Sequence, residues 1–305
     1  MTLVLAFSGT ADAKPRLAGV FDLTGTPERI AAGPDGNIWV TLSNSSDDMT
    51  LARIKPNGVV DEFDPAAVVN PEGISGGPDG NVWVTRNGGV AKVPPDDPMN
   101  AVDFDIDAIG NPEEIIRGPQ NRLWTASGDQ LVSFLPANPA GFDATTIDGV
   151  APSARGIASS GGKLFVADFG DKRIVRMNPG GGARSFKVGG GPQDVAAGPR
   201  KGAGYTNAGS VPQTVGRIEG NKKPRKTRVP NTDPFGIVFA KDRRWWIANF
   251  ATHDLTILNQ EGRARRFRKL PDNSGPRYLA KGPNNTLWVA LETSQQVARI
   301  KGVKR

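Results

Sequence analysis

The stretch 71–85 reads Pro-Glu-Gly-Ile-Ser-Gly-Gly-Pro-Asp-Gly-Asn-Val-Trp-Val-Thr, and Val-Ala-Lys-Val comes next at 90–93. Its centre, Gly-Pro-Asp-Gly-Asn, is a turn: proline presets φ and glycine accepts the positive φ that other residues resist. Before the turn lies a short run of small residues, suited to an innermost strand where backbones crowd together. After it come tryptophan and β-branched residues, which favour a strand packed between neighbours. Residues 27–41, Pro-Glu-Arg-Ile-Ala-Ala-Gly-Pro-Asp-Gly-Asn-Ile-Trp-Val-Thr, repeat the pattern closely, with Leu-Ala-Arg-Ile at 51–54. Further copies begin near Pro112, Ala154, Pro192, Pro234 and Pro276, about 40 residues apart. Each copy holds four strand-length segments. The outer two, such as Val-Val-Asp-Glu-Phe at 59–63, alternate in polarity as a half-exposed pair does. Seven such units predict an all-β, seven-bladed β-propeller of four-stranded blades.

Closure is legible as well. The seventh unit stops at Lys301 and Gly302 with three strands, whereas the chain starts with a fourth-strand-like Arg-Leu-Ala-Gly-Val-Phe-Asp-Leu at 16–23. Pairing that strand with the last blade closes the ring and removes an open edge. A solenoid would need caps, and none is apparent. Residues 14–305 are therefore expected to form one domain, and a monomer.

Composition narrows the chemistry. The chain has no cysteine, so disulfides and thiolate chemistry are excluded, and its single histidine, His253, excludes a multi-histidine metal site. No apolar run is long enough to span a membrane as a helix. Residues 1–13 carry an apolar run at 3–7 and Ala-Asp-Ala at 11–13, and are read as the remnant of a secretory signal that lacks its basic start. That reading predicts a mature chain from Lys14 and a secreted, periplasmic or cell-envelope location. Losing residues 1–13 removes one acid, Asp12, from a chain of net charge +7. A basic exported protein is attracted to anionic envelope polymers.

The Gly-Pro-Asp-Gly-Asn turn, the Trp-containing strand after it, and the Gly-Arg-Ile and Ala-Arg-Ile segments at 216–218 and 298–300 resemble the virginiamycin B lyase (streptogramin lyase) family. NHL-repeat and gluconolactonase-like propellers share the repeat. The resemblance covers essentially all of residues 14–305. It implies a magnesium-dependent elimination that opens a cyclic depsipeptide. It also implies a histidine just after the blade-opening proline in two consecutive late blades, with a glutamate before the second proline. Here those positions read Phe235, Arg277 and Gly275. A phenylalanine cannot remove a proton.

The loops that lead into the innermost strands and out of the second strands open on one face. The position after the blade-opening residue reads Glu28, Glu72, Glu113, Arg155, Gln193, Phe235 and Arg277 around the ring. The second-strand exit adds Arg86, Asp168, Asn207 and Asn249. Glu28, Glu72, Glu113 and Asp168 are candidate oxygen ligands for calcium or magnesium. Without a metal, crowded carboxylates raise one another's pKa, which makes Glu72 and Glu113 candidate acids or bases, with His253 as a possible base or proton shuttle. Arg86, Arg155, Arg277, Gln193, Asn207 and Asn249 form the ligand-binding set, the arginines suited to a carboxylate or phosphate. The competing reading is a ring of glutamates and arginines that simply pair around a wet channel.

Two basic runs, 222–228 and 263–269, fall at the outer edge of adjacent blades. They suit an anionic cell-envelope polymer. Interleaved aromatics, which single-stranded nucleic acid needs as stacking platforms, are nearly absent, so nucleic acid is disfavoured. Gly-Ile-Ser-Gly-Gly at 73–77 matches a serine-hydrolase pattern but falls in an innermost strand with no histidine nearby, so it is a coincidence. The favoured function is a module that binds a small molecule or peptide at the charged mouth. The alternative is a divalent-metal-assisted lyase or lactone hydrolase.

Overall fold

The computed structural model describes residues 14–106, 109–149 and 152–304. The expected leader, residues 1–13, lies outside them. Seven antiparallel four-stranded sheets form the predicted propeller. Their innermost strands are Thr26–Ala32, Ile74–Gly76, Glu114–Arg117, Ala154–Ser160, Pro192–Ala197, Pro234–Phe239 and Pro276–Gly282. The last blade is completed as expected: Arg16–Asp22 pairs antiparallel with Gln296–Lys301 and supplies the outermost strand. Phe21 of that strand stacks on Trp288 at 5.5 Å between ring centroids. Among the described residues no helix is long and apolar enough to cross a membrane.

The repeated turn and the tryptophan after it form one unit. In blade 1 the Asp35 carboxylate accepts the Trp39 indole N–H at 3.1 Å, and in blade 2 Asp79 accepts that of Trp83 at 3.0 Å. Gly77 must be glycine, since a Cβ there would lie 2.5 Å from the Trp83 ring. Blade 6 keeps the bond through Asp242 and Trp246, while blade 7 substitutes Thr286 as acceptor for Trp288. The indoles are thereby aimed sideways. The buried apolar residues form seven clusters, and each joins two adjacent blades. The hydrophobic core therefore lies between blades, where non-directional burial of the tryptophans holds neighbours together.

Trp83 is wholly buried between Phe104 of its own blade and Phe134 of the next, with centroids at 5.9 and 5.3 Å. Trp83→Ala should cost about 3–5 kcal/mol in urea unfolding. Asp79→Ala, which removes one indole hydrogen bond, should cost about 1 kcal/mol. Equal losses would mean that the turn, and not the interblade packing, limits stability.

Candidate functional site at the channel mouth

Each innermost strand named next begins with an irregularity. Pairing shifts register between Pro27 and Ile30, Pro192 and Val195, Pro234 and Ile237, and Pro276 and Leu279. Such a break re-aims side chains that strict alternation would send to opposite faces. Two successive residues per blade are thus freed, and they build two layers.

The outer layer holds the expected residues. Glu28 accepts the Ser43 hydroxyl at 2.5 Å and lies 3.9 Å from Arg277, which is also hydrogen-bonded to Glu292. Glu113 lies 3.9 Å from both Arg29 and Arg155. Arg155 donates to the Gln193 amide oxygen at 2.7 Å and sits 3.9 Å over the Phe169 ring. Arg277 lies 5.1 Å over Phe235, which packs on Phe250 at 5.9 Å. Glu72 differs from the rest. Its carboxylate has no hydrogen bond or salt bridge among the described residues, and partial desolvation, then repulsion from Glu28, pushes its pKa up. The ring of paired glutamates and arginines is therefore real, with Glu72 as its exception.

The inner layer was not anticipated. Its positions read Arg29, Gly73, Glu114, Gly156, Asp194, Gly236 and Tyr278 around the ring. The glycines give the large residues room: a Cβ on Gly73 would lie 2.6 Å from the Glu114 backbone, and one on Gly156 2.8 Å from the Asp194 carboxylate. Glu114 accepts the Ile157 N–H at 2.8 Å, and Asp194 accepts that of Ile237 at 2.9 Å, so each carboxylate spans to a later blade. Arg29 is 4.0 Å from Glu114 and 3.7 Å over the Tyr278 ring. Burial alone would lower the pKa of Arg29, but Tyr278, Glu114, Asp194 and Glu113 overcome it and raise it. Burial and mutual repulsion push Glu114 up, and burial pushes Asp194 up; Arg29 and the backbone donors oppose both shifts. Beneath this layer lies a chamber of about 240 Å3 with aliphatic walls that include Ile30, Ile74, Ile157 and Ile237.

The remaining predicted residues do not join the mouth. Asp168 is fully buried, accepting the Ser153 N–H at 2.9 Å and Arg173 at 2.7 Å. Asn249 donates to Asp254 at 2.8 Å, and Asn207 to the Val188 carbonyl at 3.1 Å. Arg86 reaches outward to Asp103 at 3.0 Å and to Asp105. His253 accepts the Gly275 N–H at 3.2 Å and lines a rim cavity of about 600 Å3 that none of the mouth residues enters. The proposed donors do not fit calcium or magnesium. Glu28, Glu113 and Asp168 each face an arginine, and among the described residues no three Asp, Glu or His side chains gather around a common point.

Burial raises both Glu114 and Asp194, and the same arginine, Arg29, opposes each shift. A raised carboxyl pKa contributes stability that is fully present below the unfolded value of about 4 and lost as pH rises through the folded value. Thermal stability should therefore fall from about pH 4 towards neutrality through this pair. In Glu114→Gln the decline should flatten, so the variant gains on the wild type as pH rises. Parallel pH profiles for the two proteins would remove the pair from the titration.

Comparison with known proteins agrees with this architecture. The profile of the Virginiamycin B lyase family matches residues 142–303. No curated protein matches the chain. Among solved structures, a streptogramin B lyase superposes with a TM-score of 0.79 at 16% identity, covering 94% of this chain and 97% of its own. A catalytically inactive virginiamycin B lyase from Staphylococcus aureus, solved with quinupristin, gives 0.81 at 16% identity, covering 94% and 99%. Hydrazine synthase from Kuenenia stuttgartiensis gives 0.73 at 17% identity, covering 91% and 96%. At such identities the superpositions speak for fold alone. With the profile spanning more than half of its length, the chain belongs to the virginiamycin B lyase family.

Proposed function

We propose that this chain is an exported binding module whose channel mouth holds a peptide or a small zwitterionic molecule, and that it does not open streptogramin rings. The observation that carries this reading is the Phe235–Arg277 platform, which stands where the family resemblance calls for histidines. Neither residue accepts a proton at neutral pH, so an elimination has no base there. The glutamate expected before the second proline has no room either. Gly275 has φ +59°, and a Cβ on it would collide with the Thr293 hydroxyl.

The same residues make a good receptor. Phe235 and Phe250 are half-buried and offer apolar faces, and the Nε of both Arg155 and Arg277 is buried without a hydrogen-bond partner. A ligand carboxylate would meet the exposed part of these guanidinium groups, whose side chains keep 32% and 29% of their surface accessible. Across the ring, Glu72 is the carboxylate free to receive an amine. The metal-assisted alternative asks for carboxylates that the arginines already hold.

The test is a thermal-shift screen of free-amine hexapeptides against their N-acetylated counterparts, with quinupristin assayed for ring opening by chromatography. A ligand at about 100 times its Kd adds about 2.7 kcal/mol, a shift of several degrees. Free-amine peptides should give that shift. It should disappear on N-acetylation, in Glu72→Gln and in Arg277→Ala. Quinupristin should stay cyclic with or without magnesium. Magnesium-dependent opening that Glu72→Gln abolishes would establish the lyase alternative instead.

A further inference from the structure

A groove of about 720 Å3 runs between the outer parts of blades 6 and 7, away from the mouth. It begins at the Asp242–Arg244 turn, which joins the first two strands of blade 6 at the end opposite the channel opening. The chain segments on either side of the closing strand pair, at Lys14 and Lys304, complete it. Seven of its lining residues are Lys or Arg, against two acids, Asp242 and Glu261. Asp242 is already committed: it accepts the Trp246 indole and the Arg244 N–H, each at 3.1 Å. The side chains of Lys14, Arg243, Arg265, Lys269 and Lys304 make no hydrogen bond or salt bridge among the described residues. Like charges of this number do not gather in one concave site to stabilise the fold, because each raises the cost of the next.

We infer that this groove binds a linear polyanion carrying closely spaced phosphates. Arginine forks and lysine ammonium groups on facing walls can track a chain of phosphates, releasing its counterions as they neutralise it. A groove admits a thread and turns away a flat bilayer. Among the described residues, none of the exposed large apolar side chains lies on its rim to enter a membrane. Bases would find no platform, since the only aromatic ring in the lining, Phe267, is buried edge-on against Trp246 at 5.7 Å. The site lies apart from the mouth, so its test does not depend on the mouth ligand.

The measurement is binding of a defined-length inorganic polyphosphate by the full chain, titrated between about 50 and 200 mM salt. Replacing Arg243, Arg265 and Lys304 together with alanine should weaken binding at low salt by at least about tenfold. It should also reduce the slope of log K against log salt by about two to three. Replacing Lys222, Lys223 and Arg225 of blade 5 with alanine removes the same charge elsewhere and should cost less than about threefold. Lys304→Glu alone should cost about threefold, and it keeps the test informative if the triple variant is destabilised. Equal loss in the two triple variants would overturn the proposal in favour of diffuse attraction to a basic surface. Tighter binding of anionic phosphatidylglycerol vesicles, or of single-stranded DNA at matched charge, would overturn it in favour of a membrane or a nucleic acid.

Discussion

Seven strands that converge on one axis must share a space too small for seven large side chains. That crowding governs both the channel and the placement of the core. It selects glycine at Gly73, Gly156 and Gly236 and leaves the vacated volume to Arg29, Glu114, Asp194 and Tyr278. It pushes the hydrophobic core out of the centre and into the seven junctions between blades, where the tryptophans lie. It also brings carboxylates and guanidinium groups so close that their charges must be balanced locally. The polar character of the channel is a result of the geometry of closure.

The fold was readable because its constraints are local and repeated. Where the Gly-Pro-Asp-Gly-Asn turn occurs, as at 33–37 and 77–81, the indole that it holds comes at a set distance along the chain. The outer layer of the mouth was readable for the same reason, since Glu28, Glu72, Glu113, Arg155, Gln193, Phe235 and Arg277 occupy one position of the repeat. The inner layer was missed because period-two reasoning sends the next residue to the other face, and the register break overrides it. The signal was nonetheless present in the alternation of glycine with large residues from Arg29 to Gly236. The second-strand exits failed for a different reason. Asp168, Asn207 and Asn249 find partners within or beside their own blades, between five and nineteen residues away, in contacts that no position of the repeat announces.

The fold is that of the lyase family, while the positions where the family resemblance places two histidines and a glutamate read Phe235, Arg277 and Gly275. The charged mouth opens at the axis, and the basic groove lies on the outer flank of blades 6 and 7. The two are separated by the tightly packed junctions between blades.

The inner layer also carries a matter of parity. Large residues and glycines alternate from Arg29 through Tyr278, and a ring with an even number of members could continue that alternation without a fault. Seven is odd, so two like members must meet once; here they are two large side chains, at the point of closure, as Arg29 lies 3.7 Å over Tyr278. Cation and aromatic face are among the few large pairs that gain from such contact. The blades are consequently not interchangeable copies. At the axis, the junction between the last blade and the first is chemically unlike the other six.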